Sequence, residues 1–599
     1  MKKALSHSLP SFYRLLVFSC VIAAGLNPSL RSDAITILSP PVLTGTTNAP
    51  LAGLLQLTTD VPSRVSIAVD DGTEGWQRNF HDFGTNHSIP LLGFKPGTTN
   101  SITVTVRDRF HNEFTDTNPV VLVTAPLPGD FPIMTLLTNQ PELMEPGYTL
   151  FRLVNNNNNK AFITIVDNMG QVVWYSSNIL TTLDVRQLDD GNLFIPLTTN
   201  FVEVNMLGQT IKSWTAPKIN IDFHDGVPTD HGTILYIYDD GRTVINYPTS
   251  STDPNAPRQT ASVMYNRIIE MSATNNALLN NWSLIDMLDP YRINYLTFTI
   301  RSVLGWDSEH ANAVVEDPRD HSIIVSMRHQ DAVIKFTRAG QLKWILGPHE
   351  NWGAAFQRYL LTPIGTPFEW NYGQHAPTIT PQGTLLVYDD GNFRASPFNP
   401  SIADINNYSR AVEYQIDEDK MEVTQVWEYG ANISEPLFTS RVCNADWLPK
   451  TGNVLVNFGN VDYINHTKPS PYAANATLMR IKEVTHTADP EVVFDLSIFD
   501  YGNTSSTYRG DFAYRSHRIP DLYGHPAQPV SDLTISYDAG VPELQFSGDP
   551  ARTYAIEAST DLLNWSEIGT PAPALDESYD FVDVSAAGLG TRYYRVVTQ

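Results

Sequence analysis

Gly170-Gln-Val-Val-Trp174, Gly208-Gln-Thr-Ile-Lys-Ser-Trp214 and Gly340-Gln-Leu-Lys-Trp344 are three versions of one phrase, a turn glycine followed by a strand that carries a tryptophan. Looser copies run through Trp282 and Trp427, and Phe494 takes the aromatic place in the last. A second phrase alternates with the first: a turn glycine and then a short apolar run. Gly191-Asn-Leu-Phe-Ile195, Gly232-Thr-Ile-Leu-Tyr236, Gly383-Thr-Leu-Leu-Val387 and Gly452-Asn-Val-Leu-Val456 match closely, and Ser322-Ile-Ile-Val-Ser326 fits after a longer turn. Short apolar runs bounded by turn residues are the pattern of buried strands. Copies recur every 40 to 80 residues or so, which puts insertions in the loops of a repeat architecture. Four-stranded units repeated this way, with few helical signals, predict an all-β fold built on a six-bladed β-propeller over residues 133–523. The last unit, Thr477 to Leu522, is expected to close the ring with the first strands, near Tyr148 to Asn168. A solenoid would leave the one aromatic per unit unexplained.

The flanks read differently. Val65 to Val69 and Ser101 to Val106 alternate with period two, and Pro62 suits the start of a strand or a sheet edge. Leu91-Leu92-Gly93-Phe94-Lys95-Pro96-Gly97-Thr98 is a turn between such strands, so residues 34–127 read as an N-terminal β-sandwich resembling a fibronectin type III module. The Pro-rich joint Ala125 to Pro132 bounds it. After Pro529, three strands with Gly and Pro turns (Leu533–Tyr537, Tyr554–Ala558 and Tyr593–Val597) predict an extra fibronectin III-like sandwich over residues 529–599. At the other end, Lys2, Lys3 and Arg14 precede the apolar run Leu15 to Leu26, the pattern of a signal peptide over residues 1–27. The protein is therefore expected to be exported. Val17-Phe18-Ser19-Cys20 is similar to a lipoprotein cleavage box, which makes a lipid anchor on Cys20 or cell-surface association the alternative to simple cleavage.

Composition removes several classes. The 599 residues hold 39 Lys plus Arg against 64 Asp plus Glu, a net charge of −25, so no nucleic-acid partner is expected. Only 17% of residues are charged and 42% are hydrophobic, unlike a disordered chain. With two cysteines, Cys20 and Cys443, neither a disulfide scaffold nor a cysteine-based zinc site can be built. No later stretch has 18 consecutive apolar residues, so no integral membrane span is expected.

The repeat register says which residues can meet. In a propeller, ligands gather where the loops entering each innermost strand converge. His224 lies eight residues before Gly232, His375 eight before Gly383 and Asn444 eight before Gly452, while His310 precedes Ser322 by twelve. Four polar residues from four consecutive units thus share one position. Asn312 points the same way as His310, and Arg328 ends the strand that starts at Ser322, where a guanidinium needs an anion or an acid. Several His, one Asn and one Arg describe an oxyanion site, Arg offering a planar fork of donors and imidazole a base, acid or nucleophile near neutral pH. A three-histidine metal site is the competing chemical reading, with Asp225 and Asp307 as outer partners.

Met144-Glu145-Pro146-Gly147-Tyr148, Asp307-Ser308-Glu309-His310-Ala311-Asn312, Ser326-Met327-Arg328, Lys343-Trp344-Ile345-Leu346-Gly347 and Gly373-Gln374-His375-Ala376-Pro377 follow in order, and together they resemble the bacterial arylsulfate sulfotransferase family over residues 34 to 523. The resemblance implies a periplasmic six-bladed propeller that moves a sulfuryl group from an aryl sulfate donor to a phenolic acceptor, without the nucleotide donor PAPS, another cofactor or a metal. By motif it makes His375 the transiently sulfated nucleophile. His224, His310 and Arg328, with Asn312, match the groups that bind the sulfuryl oxygens and handle the phenol proton, His310 foremost as the acid. Asn444 stands where members often have a hydroxyl residue nearby, a role that Ser440 or Thr439 can supply. Two features depart from the family: a cysteine pair that some members carry is missing, and the C-terminal sandwich is added. Asp389-Asp390-Gly391-Asn392 with Arg394 is similar to a family turn, and reads first as a tight turn.

Two other functions compete. A quinone-dependent propeller oxidoreductase wants a calcium site of carboxylates and carbonyls, which the shared position lacks. A non-catalytic exported propeller that binds sulfated or phenolic ligands needs no nucleophile, yet His224, His310, Arg328 and His375 are all present. Either sandwich offers a surface for a homodimer.

Overall fold

The computed structural model describes residues 35–108, 112–155, 160–177, 183–219, 221–469, 478–499, 511–524, 531–538, 541–548, 553–572, 578–586 and 591–598. The leader expected over residues 1–27, with Cys20, lies outside them. The protein is nearly all β: among the described residues there is one four-residue α-helix, Leu284–Met287, beside short 3-10 turns. No helix there is long and apolar enough to cross a membrane.

Between Ile133 and Ile519 the described strands form six successive sheets of four to six strands, beside a two-stranded one that pairs Leu437–Phe438 with Tyr463–Ile464. In the second, third, fourth and fifth, the chain runs from an inner strand outward through antiparallel neighbours, and the third and fifth add a parallel strand outside, Gly305–Asp307 and Thr362–Ile364. Their inner strands include Ile221–Pro228 in the third, Ala311–Glu316 in the fourth and His375–Ile379 in the fifth. The sixth runs outward from Cys443–Trp447 and takes its outermost strand, Ile133–Asn139, from the start of this region. The first sheet takes Ser516–Ile519 from its end, paired on Tyr148–Asn155. The expected last unit, Thr477 to Leu522, is therefore divided. Leu478–Val484 and Val492–Phe499 belong to the sixth sheet, and only residues 511–519 join the first. Exchanging strands at both ends satisfies two sheet edges that would otherwise stay open.

The tryptophan phrase now has a physical meaning. Each tryptophan lies on an outer strand, and its indole N–H donates across to the following sheet. Trp174 donates to the Met206 carbonyl at 2.8 Å, Trp214 to Ala273 at 2.8 Å and Trp282 to Arg338 at 3.0 Å. Trp344 donates to the Glu418 carboxylate at 3.0 Å and Trp427 to the Thr487 carbonyl at 3.0 Å. A buried indole needs such a partner, and the turn after the third strand supplies it each time. Apolar side chains fill every seam, and one core joins the sixth sheet to the first through Phe494, Leu496, Val166 and Val172. The Glu145 carboxylate binds the Lys450 and Thr451 amides, while Gly147, at φ 119°, lets the chain pass a strand so closely that a Cβ would sit 2.2 Å from the Ile519 oxygen. That motif works at the junction of the exchanged strands.

The N-terminal region forms one six-stranded sheet around Leu55, Val65, Ile67, Phe94 and Val104. Pro62 sits inside the strand Gly53–Asp70, where a register break between Thr58 and Ser63 removes the need for its missing N–H. At the C-terminus two three-stranded sheets share a core of Leu544, Phe546, Tyr554, Ile556 and Tyr579.

Candidate active site

The inner strands of the third, fourth and fifth sheets bring His224, His310 and His375 together. The His224 and His310 rings meet edge to face with centroids 4.9 Å apart. The Tyr514 ring touches both His224, at 5.6 Å, and His375, at 5.9 Å. His224 and His310 keep 16% and 15% of their side chains exposed, whereas His375 keeps 2%. His310 holds φ 49°, and Ala376, next to His375, φ 45°. Left-handed backbone at non-glycine residues costs about 1 kcal/mol or more each, and it gathers where geometry is held for function.

Arg328 follows the strand Ile323–Met327 and opens a 3-10 turn rather than ending the strand. Its Nη2 donates to the Ser440 carbonyl at 2.8 Å, and Nη1 lies 3.3 Å from His329 Nε2. Nε sits 3.8 Å from Asp390 Oδ2 and is buried without a hydrogen-bond partner. That edge of the guanidinium therefore faces Asp390 inside the protein.

The feature that repeats at the histidines is a carboxylate on Nδ1. Asp222 accepts at His224, Asp307 Oδ2 lies 2.5 Å from the His310 nitrogen, and Asp390 Oδ1 lies 3.0 Å from that of His375. With Nδ1 held by a carboxylate, Nε2 is the remaining nitrogen of each ring. Burial opposes charge on His224, but the Asp222 carboxylate outweighs it and raises the imidazole pKa. His375 goes the other way: burial, then Arg328, His224 and His310, hold it well below the ordinary range, so its ring is neutral. Burial pushes Asp390 up, against Arg328 and the Cys443 thiol, whose Sγ lies 2.9 Å from Oδ1. His329 stacks on His310 at 4.5 Å and is pushed by burial down to about 3, a neutral ring between Arg328 and the Asp307 carbonyl.

The two asparagines do other work. Asn312 donates from Nδ2 to the Gln374 carbonyl at 2.8 Å, bracing the residue before His375. Asn444 donates to the Ser516 carbonyl and accepts from its amide, both at 2.9 Å. Each joins an inner strand to the next sheet's inner strand, so Asn444 is the counterpart of Asn312 and not of the histidines. Asp225 also holds the neighbouring strand, through the Val314 amide at 2.9 Å, and pairs with Arg515 at 3.0 Å rather than with His224.

Asp222, His329, Tyr514 and Arg515 escaped the reading of the sequence, and Asp390 entered it only as part of a tight turn. The Asp222-x-His224 spacing was visible there. The contact of Asp390 with His375 was not, because Asp390 follows the adjacent strand, two residues beyond the paired Tyr388. Among the described residues, His224, His310 and His375 are not a set whose ligand atoms fall within 4.8 Å of one another; Asp307 with His310 and His329, and His375 with Asp390 and Cys443, are such sets. A cavity of about 430 Å³ is lined by Arg258, Tyr291, Trp352 and Phe398 and by none of these histidines.

The model of the arylsulfotransferase family matches residues 108–509, which include every residue of this cluster except Tyr514 and Arg515 and its neighbour Ser516. The chain belongs to the arylsulfotransferase family. Among curated relatives, the arylsulfate sulfotransferase AssT of Escherichia coli O6:H1 (strain CFT073) is 24% identical over 575 residues, covering 78% of this chain and 92% of the relative. The arylsulfate sulfotransferase AssT of Lelliottia amnigena is 24% identical over 370 residues, covering 52% of this chain and 57% of that one. A solved structure, a protein of unknown function from Bacteroides caccae, aligns with TM-score 0.30 and 12% identity over 52% of this chain and 82% of its own.

Proposed function

We propose that this arylsulfotransferase carries a sulfuryl group from an aryl sulfate to a phenol through a transient sulfohistidine at His375. The observation that carries the proposal is the placement of His375: a neutral ring, Nδ1 on Asp390, with the Arg328 guanidinium beside the same carboxylate. The Nε2 lone pair attacks sulfur, the bond from sulfur to the phenolic oxygen breaks, and Asp390, whose ionised form Arg328 favours against burial, stabilises the growing positive charge of the imidazolium through Nδ1–H. Arg328 faces the sulfuryl oxygens as charge redistributes. The leaving phenolate takes a proton from the His224–His310 pair, in which the Asp222 carboxylate favours the cationic form of His224. In the second half the same pair accepts the proton of the incoming phenol, whose oxygen attacks sulfur while the nitrogen–sulfur bond breaks. Phenolate leaves readily because phenol has a pKa near about 10. Asn312 holds the His375 strand in place behind this exchange.

The reading extends to the architecture. Six sheets, a filled seam between each pair of neighbours and strands exchanged at the ends support a six-bladed propeller over residues 133–523. An N-terminal β domain over 34–127, a single six-stranded sheet, and a C-terminal sandwich over 529–599 flank it, behind a signal peptide over 1–27 that directs export to the periplasm. Intact-protein mass spectrometry after brief mixing with 4-nitrophenyl sulfate and an acid-free quench tests the mechanism. A gain of about 80 Da in the wild type and none in His375→Asn is expected. Release of nitrophenol with no adduct on either protein would overturn the covalent step.

A further inference from the structure

The inner hairpins of the third and fourth sheets end, away from His224 and His310, in a second pair of histidines. His231 lies in the turn before Thr233–Tyr247, and His321 in the turn before Ile323–Met327. They hold the same place in the repeat, directly before Gly232 and Ser322. Between His310 and Glu316 the strand advances about 20 Å at ~3.3 Å per residue, so this cluster is remote from the histidines at the strand starts. Glu316, the last residue of Ala311–Glu316, completes it.

The three ligand atoms form a nearly equilateral triangle. His231 Nε2 is 3.0 Å from His321 Nδ1 and 3.1 Å from Glu316 Oε1, and His321 Nδ1 is 2.9 Å from the same oxygen. No placement of protons satisfies these contacts. Each ring nitrogen presents one in-plane hydrogen or one lone pair, and an ionised carboxylate only accepts. If both nitrogens donate to Oε1, two N–H groups point at each other across 3.0 Å. If one donates to the other, the acceptor's lone pair faces the carboxylate oxygen. A cation at the centre resolves all three edges, because each atom then offers it a lone pair. Three facial positions of an octahedron with bonds of about 2.1 Å stand about 3.0 Å apart, and tetrahedral zinc ligands about 3.4 Å apart.

The surroundings hold the triangle. Arg338 donates to Glu316 Oε1 at 2.9 Å, to the His321 carbonyl at 3.1 Å and to Glu270 at 2.6 Å. His321 itself sits at φ 56°, with its amide on the Asp317 carbonyl at 2.8 Å. The imidazole rings cross at 71° with centroids 4.5 Å apart. Side-chain exposures of 45% for His231 and 52% for His321 leave the open side to water ligands.

We propose that His231, Glu316 and His321 bind a divalent transition-metal ion of the zinc class, which ties the third sheet to the fourth on the face away from the catalytic histidines. Two imidazole nitrogens and one carboxylate oxygen suit such an ion better than calcium or magnesium, which prefer oxygen. The site is independent of the sulfuryl-transfer chemistry. The test is calorimetric titration of the chelator-treated full chain with zinc chloride alone, with melting curves on the same samples. Wild type and His375→Asn should each take up one equivalent at this site and melt at a higher temperature with zinc. His231→Ala and His321→Ala, on different sheets, should each bind zinc at least tenfold more weakly, lose that rise and keep the melting temperature of the metal-free wild type. Absence of zinc uptake by the wild type would overturn the proposal. So would unchanged affinity in both alanine variants, or loss of the bound equivalent in His375→Asn.

Discussion

Five outer strands carry a tryptophan that does one job each time, whereas the inner strands carry His224, His310, His375 and Asn444, which divide into a reactive group and a latch. The two positions belong to the same repeat, and His375 and Asn444 are as buried as the tryptophans, so burial alone does not explain the difference. What separates them is the partner. Every indole meets an acceptor in the turn of the next sheet, a contact that depends only on the repeat's geometry. The histidines meet carboxylates that come from three different places: two residues back at Asp222, three back at Asp307, and the neighbouring strand at Asp390. A repeated scaffold holds the edge constant and lets the centre differentiate. Substitutions at the centre should therefore change rates, and substitutions at the edge should change stability.

The sharpest separation is His375→Asn, expected to lower kcat on the order of 10⁴-fold or more while leaving the melting temperature close to wild type. Steady-state release of nitrophenol beside a melting curve measures both. Asp390→Asn comes next. It keeps the shape of the contact at His375 Nδ1 but removes the charge that stabilises the imidazolium, so kcat should fall on the order of 10²- to 10⁴-fold with KM little changed. A fall confined to KM would show that Asp390 only shapes the pocket.

Asn444→Ala is chosen to break the comparison, because it sits at a central position yet acts as a latch. Its amide and the Ser516 backbone exchange two hydrogen bonds in the interior. Removing it leaves a buried N–H and C=O unpaired, at a cost of about 2–3 kcal/mol, to be read by denaturant unfolding. Activity per folded molecule should stay near wild type. If instead kcat collapsed with stability intact, Asn444 would rejoin the histidines.

These cases also show how far the amino-acid sequence could be read. The tryptophan phrase exposed the sheets because a turn glycine, a strand and an aromatic recur locally, within a few residues. The same register aligned His224 and His375 correctly, since each lies a fixed distance before a turn. It aligned Asn444 with them by that distance alone, and distance along the chain does not tell which way a side chain faces across a seam. Asp390 was out of reach for a related reason. Its contact with His375 depends on strand pairing, and the residues 389 to 392 that carry it satisfy every rule of a tight turn as well. The exchanged strands at residues 133–139 and 516–519 were blurred because their partners lie hundreds of residues away.

Asp222→Asn sharpens the contrast through pH. The Asp222 carboxylate raises the His224 pKa, so the protonated ring is present below that pKa and is lost as pH rises through it. Without the carboxylate the loss begins at lower pH, and the alkaline limb of the kcat profile should move toward acid. A profile that stays in place would take the proton-donor role away from His224.

The smallest expected effect belongs to the edge. Trp282→Phe keeps the ring that packs on Phe336 at 5.6 Å but deletes the indole N–H that reaches the Arg338 carbonyl at 3.0 Å. That carbonyl then loses a donor in a seam that has only partial access to water, a cost of about 1 kcal/mol. Unfolding in urea should show this change, with kcat and KM at wild-type values. Arg338 also grips Glu316 and Glu270 with its side chain, so its backbone is held from both sides of the seam. A loss several times larger than one hydrogen bond would mean that the tryptophan sets the position of that arginine, and the edge of the molecule would then carry specific work of the kind the comparison reserves for the centre.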